Sequence, residues 1–231
     1  MIYIGIDDTD NLVSRGTGLL SRNIAKELSG HFKVYGVTRH QHFVHESIPY
    51  TSHNSSAVIH LDESGEDVAH RAFELTKQFM LGDFVEGSDP GLVVAQKEQI
   101  NSSVVVFGLD TKIKVVTQPM ARSIAKNCGI LLEGLGGTED GVIGALGGVG
   151  LAATGYDGSF LTKDKTRQIS GSCSISDLKR SGIDRVMTLD GRELLDGRLE
   201  FNRSPNPSLI KSEAVLFVEG SDNNYTIVKR Q

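Results

Sequence analysis

The chain has 231 residues, of which 39% are hydrophobic and 23% charged, a composition typical of a soluble globular protein. No apolar run approaches the roughly 20 residues that a membrane-spanning helix needs, and the first residues lack the basic segment of a signal peptide. The net charge of -5 argues against broad, sequence-independent binding of nucleic acid, although it leaves room for a local basic patch. The two cysteines, Cys128 and Cys173, have no metal-binding spacing, so we expect free thiols and a cytoplasmic protein without a membrane partner.

The first predicted elements are a strand, an acidic loop, a helix and a second strand. Apolar residues alternate over residues 2–6, as in a strand, and the carboxylates of residues 7–10 follow directly. Leucine and isoleucine then recur at helical spacing over residues 17–28, and Gly30 is a helix stop signal. Residues 33–38 are predicted to form the second strand.

The middle of the chain alternates between further strands and helices around a polar, irregular stretch. That stretch covers residues 39–56. Patterns of apolar residues predict strands at residues 57–61, 92–95 and 104–107, and helices at residues 68–79 and 119–128.

A glycine-dense block and a strand-rich tail complete the chain. Ten of the 25 residues from 134 to 158 are glycine, and Asp140 is placed to cap a helix that runs through Val149. Short apolar runs separated by Asp-Gly turns follow, with strands at residues 214–218 and 225–228. The expected fold class is therefore α/β (α+β), with one part over residues 1–130 and another over residues 131–231.

One hexapeptide, Phe-Val-Glu-Gly-Ser-Asp, occurs twice, at residues 84–89 and 217–222. A strand-to-turn exit used twice accounts for it, and a duplicated structural unit is the alternative.

The acidic strand end is the first candidate site. Asp7, Asp8 and Asp10 place three carboxylates within four residues at the carboxyl end of a strand, where α/β proteins bind ligands. Like charges this close repel each other, so a cation should bind there, and carboxylate oxygens favour Mg²⁺. The alternative is that these residues only make Asx turns and cap the next helix.

The start of that helix is the second candidate. Gly16, Thr17 and Gly18 let the backbone approach a phosphate closely, and helix N-termini bind anions. Thr17 either caps the helix or contacts, and even accepts, a phosphoryl group. Together with Asp8 it is the candidate catalytic residue.

A glycine-rich turn offers a second phosphate-binding segment. Gly136, Gly137 and Thr138 lie between a predicted strand and a predicted helix, the context of a phosphate-binding turn, although the spacing matches no standard fingerprint. Close packing against another backbone is the alternative, and we favour it for the glycines inside the helix.

The polar stretch offers side chains for the ligand. Tyr50, Thr51 and Asn54 follow a proline-fixed turn and suit a planar or polar group such as a base or an acceptor. His40 and His42 would share one face of a strand, as zinc ligands do, but no further ligand follows at a suitable spacing. We therefore expect solvated or hydrogen-bonded surface histidines.

Four motifs in order resemble those of the archaeal tRNA-isoleucine 2-agmatinylcytidine synthetase family. They are Gly5-Ile6-Asp7-Asp8-Thr9-Asp10, Ile48-Pro49-Tyr50-Thr51 with Asn54 and Ala57-Val58, Asp89-Pro90-Gly91, and Gly141-Val142-Ile143-Gly144-Ala145-Leu146.

The resemblance implies a kinase-like domain that uses ATP and Mg²⁺ to activate a cytidine of tRNA, which agmatine then attacks, and a ferredoxin-like domain after it. It implies that Asp7, Asp8 and Asp10 form the metal and phosphate site. The family's oligonucleotide-binding fold and zinc ribbon have no counterpart in this sequence. A threonine that accepts phosphate in the family corresponds only approximately to Thr17, which leaves autophosphorylation, agmatine and tRNA as open questions.

The sequence thus predicts a kinase-like or ligase-like transferase that uses Mg²⁺ and ATP for phosphoryl or adenylyl transfer to a small-molecule or nucleoside acceptor. One alternative is a nucleotide-sensing module without turnover. Another is the catalytic core of an RNA-modification enzyme that needs a separate RNA-binding partner.

Overall fold

The first 96 residues run strand, helix, strand, strand, helix, strand. The computed structural model describes residues 1–11, 14–51 and 53–228. Its first elements are β1 (Ile2–Asp7), α1 (Thr17–Leu28), β2 (Val34–Gln41), β3 (Ser55–Leu61), α2 (Glu66–Gly82) and β4 (Gly91–Gln96). The strands are antiparallel in the order β4-β1-β3-β2. This connectivity is that of a ferredoxin-like unit, so the ferredoxin-like pattern lies at the beginning of the chain, whereas the resemblance implied it after residue 130.

Four further elements complete a three-layer arrangement around this sheet. They are α3 (Ser102–Asp110), α4 (Gln118–Cys128), β5 (Leu131–Gly134) and α5 (Gly141–Ala153). β5 extends the sheet beside β4. Helices α1 and α2 cover one face, with Ile2, Ile4 and Ile6 of β1 buried beneath them, and α3, α4 and α5 cover the other face. Because successive side chains of a strand point to opposite faces, β1 contributes residues to the hydrophobic cores on both faces of the sheet.

The rest of the chain continues the sheet from its other edge. The elements are β6 (Ser159–Thr162), β7 (Gly171–Ser174), α6 (Ile175–Arg180), β8 (Arg185–Thr188), β9 (Arg198–Phe201), β10 (Ser208–Ile210), β11 (Glu213–Ser221) and β12 (Asn224–Ile227). β6 pairs with both β2 and β10, and the order then runs β10-β11-β12-β9-β7, with β8 parallel to β11. A separate core forms under α6. The predicted mixed α/β (α+β) class with a strand-rich tail is confirmed, at 33% helix and 28% strand. A division near residue 130 stays a prediction, and β5 and α5, which follow it, pack on the first part.

The predicted strand at residues 104–107 is wrong, because the segment belongs to helix α3. The Asn101 side chain caps this helix by accepting hydrogen bonds from the N–H groups of Ser103 and Val104. Val104, Phe107 and Gly108 are the buried positions, which is helical spacing. A run of valines favours a strand locally, but the cap and the contact with α5 override that preference.

Helix α5 packs through its glycines, as expected. A Cβ atom at Gly147 would lie 2.7 Å from Thr111, one at Gly148 would lie 2.3 Å from Ser56 Oγ, and one at Gly150 would lie 2.3 Å from the carbonyl oxygen of Val104. The helix is apolar along its length, yet neither it nor any other helix in the described part of the chain is long and apolar enough to cross a membrane.

The repeated hexapeptide adopts two different structures. Residues 84–89 form a loop after α2, whereas the second copy lies mostly within β11. The repeat is therefore not a duplicated structural unit, and a strand-to-turn exit describes only the second copy.

The α3–α5 contact predicts the effect of adding one methyl group. Gly150→Ala should lower the free energy of unfolding by about 1–3 kcal/mol in urea titrations, because the new Cβ overlaps a backbone carbonyl that cannot move freely. Gly82→Ala at the end of α2 is the matched control, since its Cβ would meet nothing within 4 Å. It should leave stability unchanged or raise it slightly. Equal losses for the two variants would contradict the proposed packing.

Candidate functional site

A cavity of about 860 Å³ opens at the end of the sheet where β1 stops. The loop after β1, the start of α1, the loop between β2 and β3, and the linker between α3 and α4 form its walls. Nine of the predicted site residues line it: Asp7, Asp8, Asp10, Gly16, Thr17, Gly18, Tyr50, Thr51 and Asn54. Folding therefore brings three separate predicted segments into one concavity.

Asp7 ends β1 and points toward helix α5. A Cβ atom at Gly144 would lie 1.7 Å from Asp7 Oδ2, so that glycine makes the space that the carboxylate occupies. Burial raises the pKa of Asp7 to about 8, and the negative charges of Asp8 and Asp10 add to the effect. Near neutral pH this carboxyl group therefore tends to hold a proton when no cation is near.

Asp8 brings the acidic loops of the chain together. Its φ of 52° lies in the left-handed region, which turns the chain sharply after β1. Its carbonyl oxygen accepts the N–H of Asp89 at 3.1 Å, and the carbonyl of Asp89 in turn accepts the N–H of Gly141 at 2.9 Å. Burial, followed by the charges of Asp89, Asp10 and Asp140, raises the pKa of Asp8 to about 6. Four carboxylates, those of Asp7, Asp8, Asp10 and Asp140, thus line the cavity, and Asp89 is bound to the same loops through its backbone.

This acidic end does not form a complete protein cage for a metal. In residues 1–11, 14–51 and 53–228, no group of three or more His, Cys, Asp or Glu side chains is placed to hold one ion. Mg²⁺, however, usually binds one or two carboxylates together with phosphate oxygens and water. The donor set therefore fits a cation that arrives with a phosphate ligand, and Mg²⁺ ligation by Asp7, Asp8 and Asp10 stays a prediction.

Asp10 connects three segments of the cavity wall. The Thr17 hydroxyl donates to Asp10 Oδ1 at 3.2 Å, and the Thr51 hydroxyl donates to Asp10 Oδ2 at 3.1 Å. The Thr9 hydroxyl donates to Thr17 Oγ1 at 3.0 Å. A buried hydroxyl that donates to a carboxylate has the geometry of a nucleophile beside its base.

The start of α1 offers backbone donors to an anion. Gly16 precedes the helix without a capping side chain, and its carbonyl accepts the first intrahelical hydrogen bonds. The N–H groups of Thr17 and Gly18 precede those bonds, so they have no intrahelical acceptor. With the helix dipole they make this end suitable for phosphate.

The expectation of hydrogen-bonded surface histidines is correct for the hydrogen bonds of His40 and His42 but wrong for their exposure. His40, His42 and His60 are buried. His42 bonds to Ser56 Oγ through Nε2 at 2.7 Å and to Thr111 Oγ1 through Nδ1 at 2.9 Å. Burial lowers the pKa of His42 to about 3, so the ring is neutral and positions the cavity wall. Both ring nitrogens are occupied, which also argues against a zinc site.

Several cavity residues were not predicted from the sequence as site residues. Arg22, Arg39, Gln118, Arg122 and Asp140 all line the cavity. Arg22 lies four residues after Gly18, so helical spacing pointed to the same face. Arg39 and Gln118 come from distant elements, and only the tertiary structure places them there.

The glycine turn at Gly136 to Thr138 lies outside the cavity lining. A Cβ at Gly137 would lie 2.1 Å from Asp89 Oδ1, and the Thr138 N–H donates to that same carboxylate oxygen. The glycines thus let Asp89 approach the backbone. Contact of Gly136, Gly137 and Thr138 with a nucleotide stays a prediction.

Comparison with known proteins identifies the fold. No protein-family model matches the sequence, and no curated protein matches it. The similar solved structures include the TiaS–tRNA(Ile2)–ATP complex, with 21% identity and a TM-score of 0.56, and apo TiaS, a tRNAIle2 agmatidine synthetase, with 19% identity and a TM-score of 0.55. They also include a tRNA fluorescent labelling enzyme, with 22% identity and a TM-score of 0.54. Each similarity covers 64% of this chain and 35–36% of the other. The expected resemblance is confirmed at the level of fold, and the matched part of this chain spans about a third of the length of those proteins.

The raised pKa of Asp7 predicts how stability depends on pH. The neutral carboxyl group stabilises the fold fully below the unfolded pKa near 4, and this contribution is lost as pH rises through about 8. Without added metal, the free energy of unfolding should fall by about 1–2 kcal/mol between pH 6.5 and 9. Asp7→Asn should remove that slope in urea titrations. Parallel slopes for the two proteins would contradict the raised pKa.

Proposed function

We propose that the chain binds Mg²⁺–ATP in this cavity and transfers a phosphoryl or adenylyl group to a small-molecule or nucleoside acceptor. The observation that carries the proposal is the convergence of carboxylates with the N-terminus of α1, because a metal–phosphate group needs both. The fold similarity to TiaS, one of whose structures is a complex with ATP and tRNA(Ile2), supports ATP as the nucleotide.

The phosphates would lie between the acidic loop and the helix start. The N–H groups of Thr17 and Gly18 would donate to phosphate oxygens, while Asp7 and Asp8 would hold the cation. Mg²⁺ would neutralise the phosphates and polarise the bond that breaks. The raised pKa values of Asp7 and Asp8 fit this arrangement, because a bound cation would offset both the burial and the neighbouring negative charges that raise them.

Transfer would use the pair of Thr17 and Asp10. The acceptor oxygen forms a bond to phosphorus, the bond to ADP or pyrophosphate breaks, and the proton of the acceptor hydroxyl passes to a carboxylate. The Thr17 hydroxyl donates a hydrogen bond to Asp10 Oδ1, and it would either accept the group itself or relay the proton. Asp8, two residues before Asp10 in the acidic loop, would stabilise the reacting group through the cation.

The loop between β2 and β3 would hold the base or the acceptor. Tyr50 is 45% exposed at the cavity wall, where its ring can stack on a planar group. Thr51 is tied to Asp10, which couples the loop to the acidic end. Asn54 donates to the carbonyl oxygen of Phe43 at 2.6 Å, so it acts as a positioning residue for the loop.

A second candidate function is the catalytic core of an RNA-modification enzyme. The fold similarity to TiaS and to a tRNA labelling enzyme favours it. With a net charge of -5, this chain would need a partner that supplies the basic RNA-binding surface. Turnover that appears only when RNA and such a partner are added would support this function, and binding of ATP without any turnover would indicate a nucleotide sensor instead.

Asp8→Asn tests the metal–nucleotide site. It should weaken Mg²⁺–ATP binding at least about ten-fold in calorimetry, because one carboxylate and its charge are lost. It should also raise the melting temperature of the metal-free protein, since repulsion among the carboxylates falls. Asp83→Asn, at an exposed position after α2, is the matched control and should change neither quantity. Unchanged binding in Asp8→Asn, or an unfolded variant, would indicate a structural cap.

Thr17 variants separate binding from chemistry. Thr17→Ala should reduce transfer of label from γ-³²P-ATP or α-³²P-ATP by about 100-fold or more, while the Kd of Mg²⁺–ATP changes little. Thr17→Ser keeps the hydroxyl and should retain most of the activity. Full activity of Thr17→Ala would remove Thr17 from the mechanism and leave it as a structural hydroxyl.

A further inference from the structure

The geometry points to a second anion subsite in the same cavity, in which Arg22 and Arg39 bind a phosphate group of the acceptor. The acceptor is accordingly a phosphate ester rather than a neutral or cationic compound. This inference rests on the proposed function, because it assumes that the acidic end of the cavity holds the metal–nucleotide.

The two arginines lie on the side of the sheet opposite to Asp7. Arg39 is on β2 and shares a face with Val37, which packs in the core beneath α1. Arg22 is on α1, and its guanidinium folds back toward the helix start, since a Cβ at Gly18 would lie 3.9 Å from Arg22 Nη1. Asp7 instead points toward α5. The cavity therefore has an acidic end and a basic end on opposite faces of the sheet.

Among the described residues, neither guanidinium has a carboxylate partner. In the part of the chain that the structure describes, no ion pair includes Arg22 or Arg39, and Arg39 donates to the neutral side chain of Gln41 at 3.3 Å. Both are partly buried. Burial lowers the pKa of each, and the positive charge of Arg167 lowers the pKa of Arg22 further. Gathering partly buried cations without a counter-ion is unfavourable, and an anionic ligand removes that cost.

Phosphate is the anion that suits these groups. A guanidinium presents parallel N–H donors that match two oxygens of a phosphate, and such charge-assisted bonds are stronger than neutral ones. The other basic residues of the cavity are already engaged, since Arg122 pairs with Glu139 and Lys114 with Asp110. Of the described lysine and arginine residues that line the cavity, Arg22 and Arg39 are thus the two without an ion pair.

The position of Arg22 and Arg39 in the cavity favours binding of the acceptor there rather than of the nucleotide. A volume of about 860 Å³ lies toward the upper end of ligand cavities, which leaves room for two ligands. Thr17 and Gly18 lie between the acidic end and Arg22. An acceptor whose phosphate lies on the arginines would point its other end at Thr17 and Asp10, where the transfer is proposed.

Calorimetry with two probes tests this subsite. With the nucleotide site saturated by Mg²⁺–AMPCPP, cytidine 5′-monophosphate should bind the wild-type protein at least about ten-fold more tightly than cytidine does. Arg22→Gln and Arg39→Gln should each weaken binding of the monophosphate about ten-fold while the affinity for Mg²⁺–AMPCPP changes less than about two-fold. Arg203→Gln, an exposed arginine outside the cavity lining, is the matched control and should change neither. Thermal melts confirm that the variants fold.

Other calorimetric results would overturn the acceptor subsite or the proposed function. If the arginine variants weaken Mg²⁺–AMPCPP binding instead, the arginines hold the nucleotide's own phosphates and the acceptor subsite is overturned. Equal affinities for cytidine and its monophosphate in the wild type would overturn it as well. If Mg²⁺–AMPCPP fails to bind the wild type, the proposed function fails. Titration with inorganic pyrophosphate alone then tests the arginines separately, and loss of that binding in Arg22→Gln and Arg39→Gln, but not in Arg203→Gln, supports the anion subsite.

Discussion

The site depends on how closely the backbone of α5 approaches β1. A Cβ atom at Gly5 would lie 2.3 Å from the carbonyl oxygen of Ala145, and one at Gly91 would lie 2.1 Å from the carbonyl carbon of Gly141. Glycine at these positions lets the helix lie directly on the strands. The start of α5, with Asp140, is thereby brought to the end of β1, and Gly144 leaves space for the Asp7 carboxylate. A bulkier helix would separate the acidic loops.

This approach creates the electrostatic character of the cavity. Carboxylates from three loops are held together by backbone hydrogen bonds from Asp89 to Asp8 and from Gly141 to Asp89, so they cannot move apart to relieve repulsion. Burial raises the pKa values of Asp7 and Asp8, and the neighbouring carboxylates raise them further. On the opposite face of the sheet, Arg22 and Arg39 supply positive charge without carboxylate partners in the described chain. A metal–nucleotide at the acidic end and a phosphate-bearing acceptor at the arginines would complement such a divided cavity better than neutral ligands would.

Buried polar contacts hold the remaining walls in place. Neutral His42 connects Ser56 of β3 to Thr111 after α3, so the linker to α4 stays beside the sheet end. Asp10 connects Thr17 to Thr51 and thereby joins α1 to the loop between β2 and β3. The similarity to TiaS covers 64% of this chain at about 20% identity, which establishes a shared fold and leaves the substrate to be read from these side chains.

The sequence by itself determined the local features of this protein: the alternating strand β1, the helix that follows it, the three aspartates between them and the glycine-rich helix α5. These follow from periodicity and from residues with strong local preferences, which neighbouring positions largely decide. Only the tertiary structure decided that valines 104–106 are helical and that His42 is buried. It also decided that the glycine turn at Gly137 leaves space for the Asp89 carboxylate, and that Arg39 lines the same cavity as Thr17. Each of these depends on contacts between residues far apart in the chain, and no local pattern encodes which distant surfaces will meet.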